Sequence, residues 1–254
     1  MSNKTAPNFH PKESIMTDHP IGRRGLLTAG AMLAGATALG TSSALASEST
    51  AAVGATGYTP QPLPLPFDPK MIAGLSEKLL VSHHDNNYVG AVKRLGAINS
   101  QLSALDPTTA PGFALNGLKR EELIAWNSMI LHEIYFAGLG APTSPGKALA
   151  TAIERDFGSE ARWRSEFVAM GKALGGGSGW VLLTYSHRDK RLVNQWAADH
   201  SVTLAGGTPI LALDMYEHAY AIDYGAKAAA YVDAFMGTVN WTVPDSNFAR
   251  ATAI

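Results

Sequence analysis

The chain has 254 residues, a formal net charge of −1 at pH 7, 16% charged residues and 46% hydrophobic residues. This composition is typical of a globular protein that is long enough to bury a substantial core, and it shows no basic patch that would indicate binding to nucleic acid. The sequence contains no cysteine, which excludes disulfides, thiol nucleophiles and thiolate metal sites.

The first 46 residues predict an export signal. Arg23-Arg24 precedes an uncharged stretch, Gly25 to Ala46, which is rich in Leu, Ala and Gly and ends in the small-x-small pattern Ala44-Leu45-Ala46. These features are typical of a cleavable twin-arginine signal. Because the Gly- and Ala-rich core is only weakly hydrophobic, we expect no permanent membrane anchor. The expected location is therefore periplasmic or secreted.

Three further segments are predicted after the signal. Residues 47–66 are rich in Ser, Ala, Thr, Gly and Pro, and their last seven residues alternate proline with another residue. This composition predicts a flexible tether followed by an extended arm. We expect an N-terminal helical hairpin domain over residues 67–143 and a C-terminal α+β domain over residues 144–254.

The predicted hairpin consists of two antiparallel helices. From Asp68 to about Leu102, apolar residues recur at intervals of three and four, which predicts a helix. The prolines and glycine of residues 106–112 break this pattern. A second helix is predicted from about Lys119 to Phe136, where a Gly- and Pro-containing segment ends it.

The second half of the chain is predicted to combine helices with a small sheet. In chain order, we expect helices at Gly146 to about Phe157 and Ser159 to Leu174, strands at Trp180–Tyr185, Arg191–Trp196 and near Ile210–Asp214, a hairpin turn at His187–Lys190 between the first two strands, and a helix at about Tyr224–Gly237. The predicted fold class is α+β, with a three-stranded antiparallel sheet flanked by helices.

Asp214 and His218 are candidate metal ligands because they lie four residues apart next to an apolar run. On a helix, this spacing would place both side chains on one face. A buried, ionised Asp requires a partner, and a cation is one candidate. A structural Asp beside a hydrogen-bonded core His would give the same pattern.

Further candidate ligands lie on the two predicted N-terminal helices. His132 occurs among apolar and aromatic residues, while His83 and His84 are adjacent on the first helix. Two or three His with one Asp form a mixed nitrogen and oxygen ligand set, which suits Mn, Fe or Zn.

The chain resembles the iron/manganese superoxide dismutases over roughly residues 60–245. The resemblance rests on four segments in the same order: Trp126–Phe136, Gly177–Trp180, Asp214–Tyr224 and Val239–Trp241. It implies superoxide as substrate and one Fe or Mn ion per subunit, held by His132, Asp214, His218 and a first-helix His. It also implies a homodimer or higher homo-oligomer, in which Glu217 reaches a ligand His of the partner subunit.

The first helix departs from the family pattern, in which a ligand His precedes a gateway Tyr by eight residues and a second His precedes it by four. Counting back from Tyr88 reaches Leu80, which cannot bind a metal, and places His84 at the gateway. A three-residue deletion before Tyr88 would instead make His83 the ligand and remove the gateway His. We favour His83, with His84 as the alternative, because the Tyr that pairs with the gateway His in the family is replaced here by Ala221. When the gateway His and its Tyr partner are both lost, neither is left as an unpaired polar group in the interface.

Helix geometry restricts the assignment of His83. In an ideal α-helix, His83 and Tyr88 lie about 140° apart, whereas His84 and Tyr88 lie about 40° apart. His83 can therefore serve as the ligand only if the helix is bulged or reoriented.

The resemblance also implies roles around the metal. Tyr88 would relay protons at the mouth of the pocket. His200 would orient a metal-bound solvent, although a solvated loop His is the alternative reading. Trp180 and Tyr216 would pack around the site, with Tyr216 replacing a Trp of the family. His187 is interpreted as a polar turn residue.

Three functions remain open from the sequence. The first is an exported superoxide dismutase that forms oxygen and hydrogen peroxide. The alternative is a dismutase-like metalloprotein without this activity, acting in metal binding or stress resistance. A metal-free structural dimer is disfavoured, because a buried Asp214 would then lack compensation. The sequence does not distinguish Fe from Mn.

Overall fold

The structure is a computed structural model that describes residues 58–253. The predicted signal and the first part of the predicted tether, residues 47–57, lie outside the described residues. Between residues 58 and 253, no helix is both long enough and apolar enough to cross a membrane.

Residues 58–66, the described part of the predicted tether and arm, form neither helix nor strand. They nevertheless contact the helical region. The Tyr58 ring stacks on Trp126 with a centroid distance of 5.9 Å, and Asn99 Nδ2 donates a hydrogen bond to the Tyr58 carbonyl over 3.1 Å. Pro60 is buried, so the arm lies against the helices.

The first predicted helix is divided into several segments. A 3₁₀ turn at Pro69–Met71 is followed by helix α1 at Glu77–Ser82, a π-helical segment at His83–Tyr88 and helix α2 at Val89–Ala104. The prediction of one helix from Asp68 was wrong at its start. The α-helix begins after Ser76, because the Ser76 hydroxyl accepts a hydrogen bond from the Leu79 N–H and caps the first turn.

Helix α3 spans Gly112–Ala137 and packs against α2. It begins seven residues before the predicted start at Lys119. Asn116 and Gly117 are weak helix formers and hid the periodicity of this first part. The hairpin of α2 and α3 presents His132 towards the core, where it is buried.

The C-terminal half contains the predicted sheet. Helices α4, Lys147–Phe157, and α5, Glu160–Ala173, precede strands β1, Trp180–Ser186, β2, Arg191–Ala197, and β3, Gly207–Asp214. The strands are antiparallel in the order β2-β1-β3. Every residue of the central strand β1 is buried, because helix α5 and the other two strands pack around it. The α+β prediction is confirmed.

The register between β1 and β3 positions one side of the metal-site region. Trp180, the first residue of β1, pairs with Asp214, the last residue of β3. The Gly179 carbonyl accepts a hydrogen bond from the Met215 N–H over 2.9 Å and extends the pairing by one step.

The chain ends in three helices, α6 at Ala221–Tyr224, α7 at Ala228–Gly237 and α8 at Thr242–Thr252. The predicted helix from Tyr224 to Gly237 corresponds to α7 only, because Gly225 adopts a φ of 53° and ends α6. Helix α8 was not predicted; Pro244 lies in its first turn. Proline is tolerated there, where the backbone N–H groups have no intrahelical acceptor.

Candidate metal centre

Four side chains converge between the helical hairpin and the sheet. His83, His132, Asp214 and His218 each present one possible ligand atom, and these atoms lie within 4.8 Å of one another. Asp214 Oδ2 is the common point: it lies 3.1 Å from the Nε2 atom of His83, 3.4 Å from that of His132 and 3.2 Å from that of His218. The side chain of His218 is 25% exposed, whereas the other three are buried.

Asp214 and His218 meet through a turn. Asp214 ends β3, and His218 lies in a 3₁₀ turn at Glu217–Ala219. Asp214 Oδ1 accepts a hydrogen bond from the Tyr216 N–H over 2.8 Å, which bends the chain back towards the carboxylate. The two side chains therefore come together through a strand end and a turn and not along one helical face, and the strand predicted near Ile210–Asp214 is confirmed.

The π-helical segment determines which first-helix histidine faces the cluster. The Val89 N–H donates to the His84 carbonyl five residues earlier, so each turn here holds about one residue more than an α-helical turn. His83 and Tyr88 are thereby brought towards the same face, which is the bulge that His83 required. His84 points elsewhere: its Nε2 donates to the Leu63 carbonyl over 2.9 Å. The structure thus brings His83, and not His84, into the cluster.

Burial and charge set the protonation of the cluster. Burial lowers the pKa of His132 to about 3 and that of His83 below its usual value. Burial alone would raise the pKa of Asp214, but the charge of His218 and the hydrogen bonds from His218 and His83 outweigh it and hold this pKa well below the usual range. At neutral pH His83 and His132 are therefore neutral and Asp214 is ionised, which are the states of these groups that bind metals.

The donor set fits a cation. His132 Nδ1 donates to the Ser128 carbonyl over 2.6 Å, so the lone pair of its neutral ring lies on Nε2 and faces the Asp214 oxygen. Two acceptors at 3.4 Å repel each other unless a cation or a proton lies between them. Three imidazole nitrogens and one carboxylate oxygen suit Fe or Mn. His83 Nδ1 is buried, and no hydrogen-bond partner for it is found in residues 58–253.

A second layer of aromatic residues lies beside the cluster. Trp180 Nε1 donates to His200 Nδ1 over 3.0 Å, and the His200 ring stacks on Tyr216 with a centroid distance of 4.6 Å. Burial lowers the pKa of His200, and because Nδ1 accepts a hydrogen bond, the neutral ring carries its proton on Nε2. The His200 and His132 rings lie 6.1 Å apart. His200 is thus a partly buried neighbour of the cluster.

Tyr88 is buried, with 1% of its surface exposed. Its hydroxyl donates to Glu133 Oε1 over 2.9 Å and accepts from the Leu63 N–H over 2.8 Å. Glu133 was not among the predicted site residues. The available signal was a carboxylate next to His132 on an apolar helix, where a polar side chain needs a partner.

Two other predicted residues lie outside the cluster. Glu217 is exposed, which is compatible with the intersubunit role that the resemblance implies. His187 lies in the β1–β2 turn, where its Nε2 is 2.7 Å from the Thr208 hydroxyl.

Comparisons with known proteins agree with this architecture. The family model for the C-terminal domain of iron/manganese superoxide dismutases matches residues 145–247. A superoxide dismutase (Fe) from Cupriavidus metallidurans is 69% identical over 188 residues, which cover 74% of this chain and 95% of that protein.

More distant relatives cover similar lengths. Superoxide dismutase (Mn) 1 of Halobacterium salinarum is 34% identical over 197 residues, which cover 76% of this chain and 96% of that protein. A superoxide dismutase (Fe) from Aquifex pyrophilus is 32% identical over 193 residues, which cover 72% of this chain and 88% of that protein. The chain therefore belongs to the iron/manganese superoxide dismutase family.

Proposed function

We propose that the protein converts two superoxide anions and two protons into oxygen and hydrogen peroxide, at a single Fe or Mn ion held by His83, His132, Asp214 and His218. The convergence of these four side chains is the observation that carries the proposal. Relatives named as iron and as manganese enzymes support both metals. Iron is the first metal to test, because the 69% identical relative is named an iron enzyme.

Bound iron or manganese would supply one-electron redox chemistry at this site. Asp214 contributes one negative charge, which offsets part of the charge of the cation. The Ser128 carbonyl holds the His132 ring with Nε2 towards the cluster. His200 would present its Nε2 proton to solvent beside the metal, since Trp180 occupies Nδ1. Tyr88 would hold a proton at its hydroxyl near the pocket.

We further propose that the functional unit is a homodimer or a higher homo-oligomer. Glu217 is exposed and adjacent to His218, whose side chain is 25% exposed. An exposed carboxylate beside a partly exposed ligand is suited to a hydrogen bond across a twofold interface, in which each subunit would support the other's His218. Sedimentation of the wild type and of Glu217→Ala tests this assembly: we expect the variant to dissociate at higher concentration than the wild type.

We also propose export by a twin-arginine route to the periplasm or the medium. The support is the Arg23-Arg24 pair and the stretch that follows it. In addition, about a quarter of this chain lies outside the match to the 69% identical dismutase. Replacing both arginines by lysine should retain the protein in the cytoplasm in its uncleaved form. Export of this variant at the wild-type level would contradict the proposal.

The central experiment measures metal content and superoxide consumption together. The wild type, His83→Ala and His84→Ala would be compared by metal mass spectrometry and by stopped-flow decay of superoxide. We expect His83→Ala to lose metal and activity, and His84→Ala to retain metal, because His84 lies outside the cluster. Full metal in His83→Ala with loss in His84→Ala would overturn the ligand assignment. A fully metallated wild type without activity would favour the alternative, a metal-binding protein without dismutase activity.

A further inference from the structure

The Tyr88 hydroxyl is held by two groups that come from distant parts of the chain. It donates its only proton to Glu133 and accepts from the Leu63 N–H. A hydroxyl has one proton and two lone pairs, so these two bonds leave a single lone pair free. The direction of the O–H bond is therefore determined by Glu133 and Leu63.

Glu133 reaches Tyr88 from the helix that carries His132. One residue along an α-helix turns the side chain by about 100°, which directs the Glu133 carboxylate away from the His132 imidazole. Glu133 is partly buried, and no Lys, Arg or His of residues 58–253 forms an ion pair with it within 4.0 Å. Among the described residues, Tyr88 is the hydrogen-bond donor to this carboxyl group, and this bond offsets part of the cost of burying it.

Both backbone polar groups of Leu63 are also hydrogen-bonded. Its N–H donates to Tyr88, and its carbonyl accepts from His84 Nε2. The Pro residues on either side of it restrict the backbone further. A cavity of about 100 Å³ lies at this junction and is lined in part by Leu63, Pro64, His84, Tyr88 and Glu133. The cavity is large enough to hold water beside the Tyr88 hydroxyl.

We propose that Glu133 is a positioning residue for the dismutase reaction: its carboxylate, together with the Leu63 N–H, fixes the orientation of the Tyr88 hydroxyl beside the metal centre. Glu133 acts through Tyr88 and does not bind the metal. The inference rests on the proposed function for its kinetic consequence. Its structural part, the restraint on Tyr88 and on the arm, is independent of that function.

The test uses the full exported chain and four variants, Glu133→Ala, Glu133→Gln, Tyr88→Phe and the double variant Glu133→Ala/Tyr88→Phe. Glu154→Ala is the matched control, because Glu154 is an exposed glutamate on α4. Each protein is compared by metal content, by kcat and KM for superoxide, and by hydrogen exchange of the peptide that contains Leu63.

We expect every variant to keep its metal. Glu133→Ala should lower kcat by about three- to tenfold with little change in KM, Tyr88→Phe should lower it similarly, and the double variant should lose no more than either alone. Glu133→Gln should retain most of kcat, because its amide oxygen can still accept from Tyr88. The Leu63 amide should exchange faster in Glu133→Ala and in Tyr88→Phe, but not in Glu154→Ala.

Several results would overturn the proposal. Wild-type kcat and wild-type Leu63 exchange in fully metallated Glu133→Ala would show that Glu133 does not hold Tyr88. Losses that multiply in the double variant would show that it acts independently of Tyr88. If the metallated wild type lacks activity, the proposed function fails, and Leu63 exchange still decides the structural part. If Glu133→Ala does not fold, Leu63→Pro can be used instead, because it removes the hydrogen bond from the Leu63 N–H to the Tyr88 hydroxyl and leaves Glu133 intact. An unchanged kcat in Leu63→Pro would refute the proposed restraint on Tyr88.

Discussion

Gly179 joins the sheet to the metal-site region, and replacing it with alanine tests how tightly this junction is built. Gly179 precedes Trp180 and has a φ of 132°, which L-residues with side chains rarely adopt. A Cβ atom placed there would overlap the Ala197 carbonyl oxygen and lie 3.2 Å from the Ala198 carbonyl oxygen. Both contacts are to backbone, which cannot move aside as a side chain can.

Two effects add to the cost of Gly179→Ala. The positive φ costs about 1–2 kcal/mol for a residue with a Cβ atom. Relieving the overlap requires a shift of the backbone, which costs about 1–3 kcal/mol in a well-packed region. We therefore expect a loss of about 2–5 kcal/mol in the free energy of unfolding. Because the Gly179 carbonyl binds the Met215 N–H, the shift should also displace Asp214 and weaken metal binding.

The measurement is urea unfolding of the metal-free wild type and variant, followed by tryptophan fluorescence. Gly117→Ala is the matched control. Gly117 lies within α3, has no heavy atom within 4 Å of the added Cβ, and should gain about 0.5–1 kcal/mol. A midpoint for Gly179→Ala equal to or above that of the wild type would refute the steric argument.

Three further predictions concern protonation and capping. The metal-free protein should lose stability as pH falls below about 6.5. The reason is that His132 has a pKa of about 3 in the folded protein and therefore binds a proton more readily in the unfolded chain. The loss of unfolding free energy from this residue is about 2 kcal/mol at pH 5. Stability that is constant from pH 7 to pH 5 in urea unfolding would contradict this. Burial raises the pKa of Tyr88 to about 12, and Glu133 adds to this shift. Glu133→Gln should therefore lower the pKa of Tyr88, as measured by an NMR titration of labelled tyrosine. An unchanged or higher pKa would show that Glu133 has no such effect. Ser76→Ala removes the α1 cap and a bond to Asp223 and should cost about 1–2 kcal/mol in thermal unfolding, whereas an unchanged midpoint would mean that the cap is not required.

The sequence predicted the elements well where periodicity and strand-forming residues were strong. The ends of all three strands were predicted to within a few residues, because segments rich in β-branched and aromatic residues are separated there by clear turn signals. Helix α8 and the first turns of α3 were missed, since Pro244 and Gly117 weaken the local signal without preventing a helix when tertiary packing supports it.

At the candidate site, residue spacing identified the participants better than their local geometry. Asp214 and His218 were selected as a pair, yet a strand end and a tight turn satisfy the same spacing that a helix would. The contact between Glu133 and Tyr88 joins residues 45 positions apart, and no local pattern encodes it. The π-helical hydrogen bonds likewise depend on the packing around His83, which a single sequence does not display.

The π-helical segment changes the geometry of the entrance to the site. A ligand His and a gateway Tyr eight residues apart in an α-helix lie about 80° apart around the axis and about 12 Å apart along it. With wider turns, five residues bring His83 and Tyr88 within about 50° of each other, but span only about 7 Å of axis. Relative to that spacing, the interval between His83 and Tyr88 is compensated in angle and not in length, and their axial separation is smaller by nearly one helical turn.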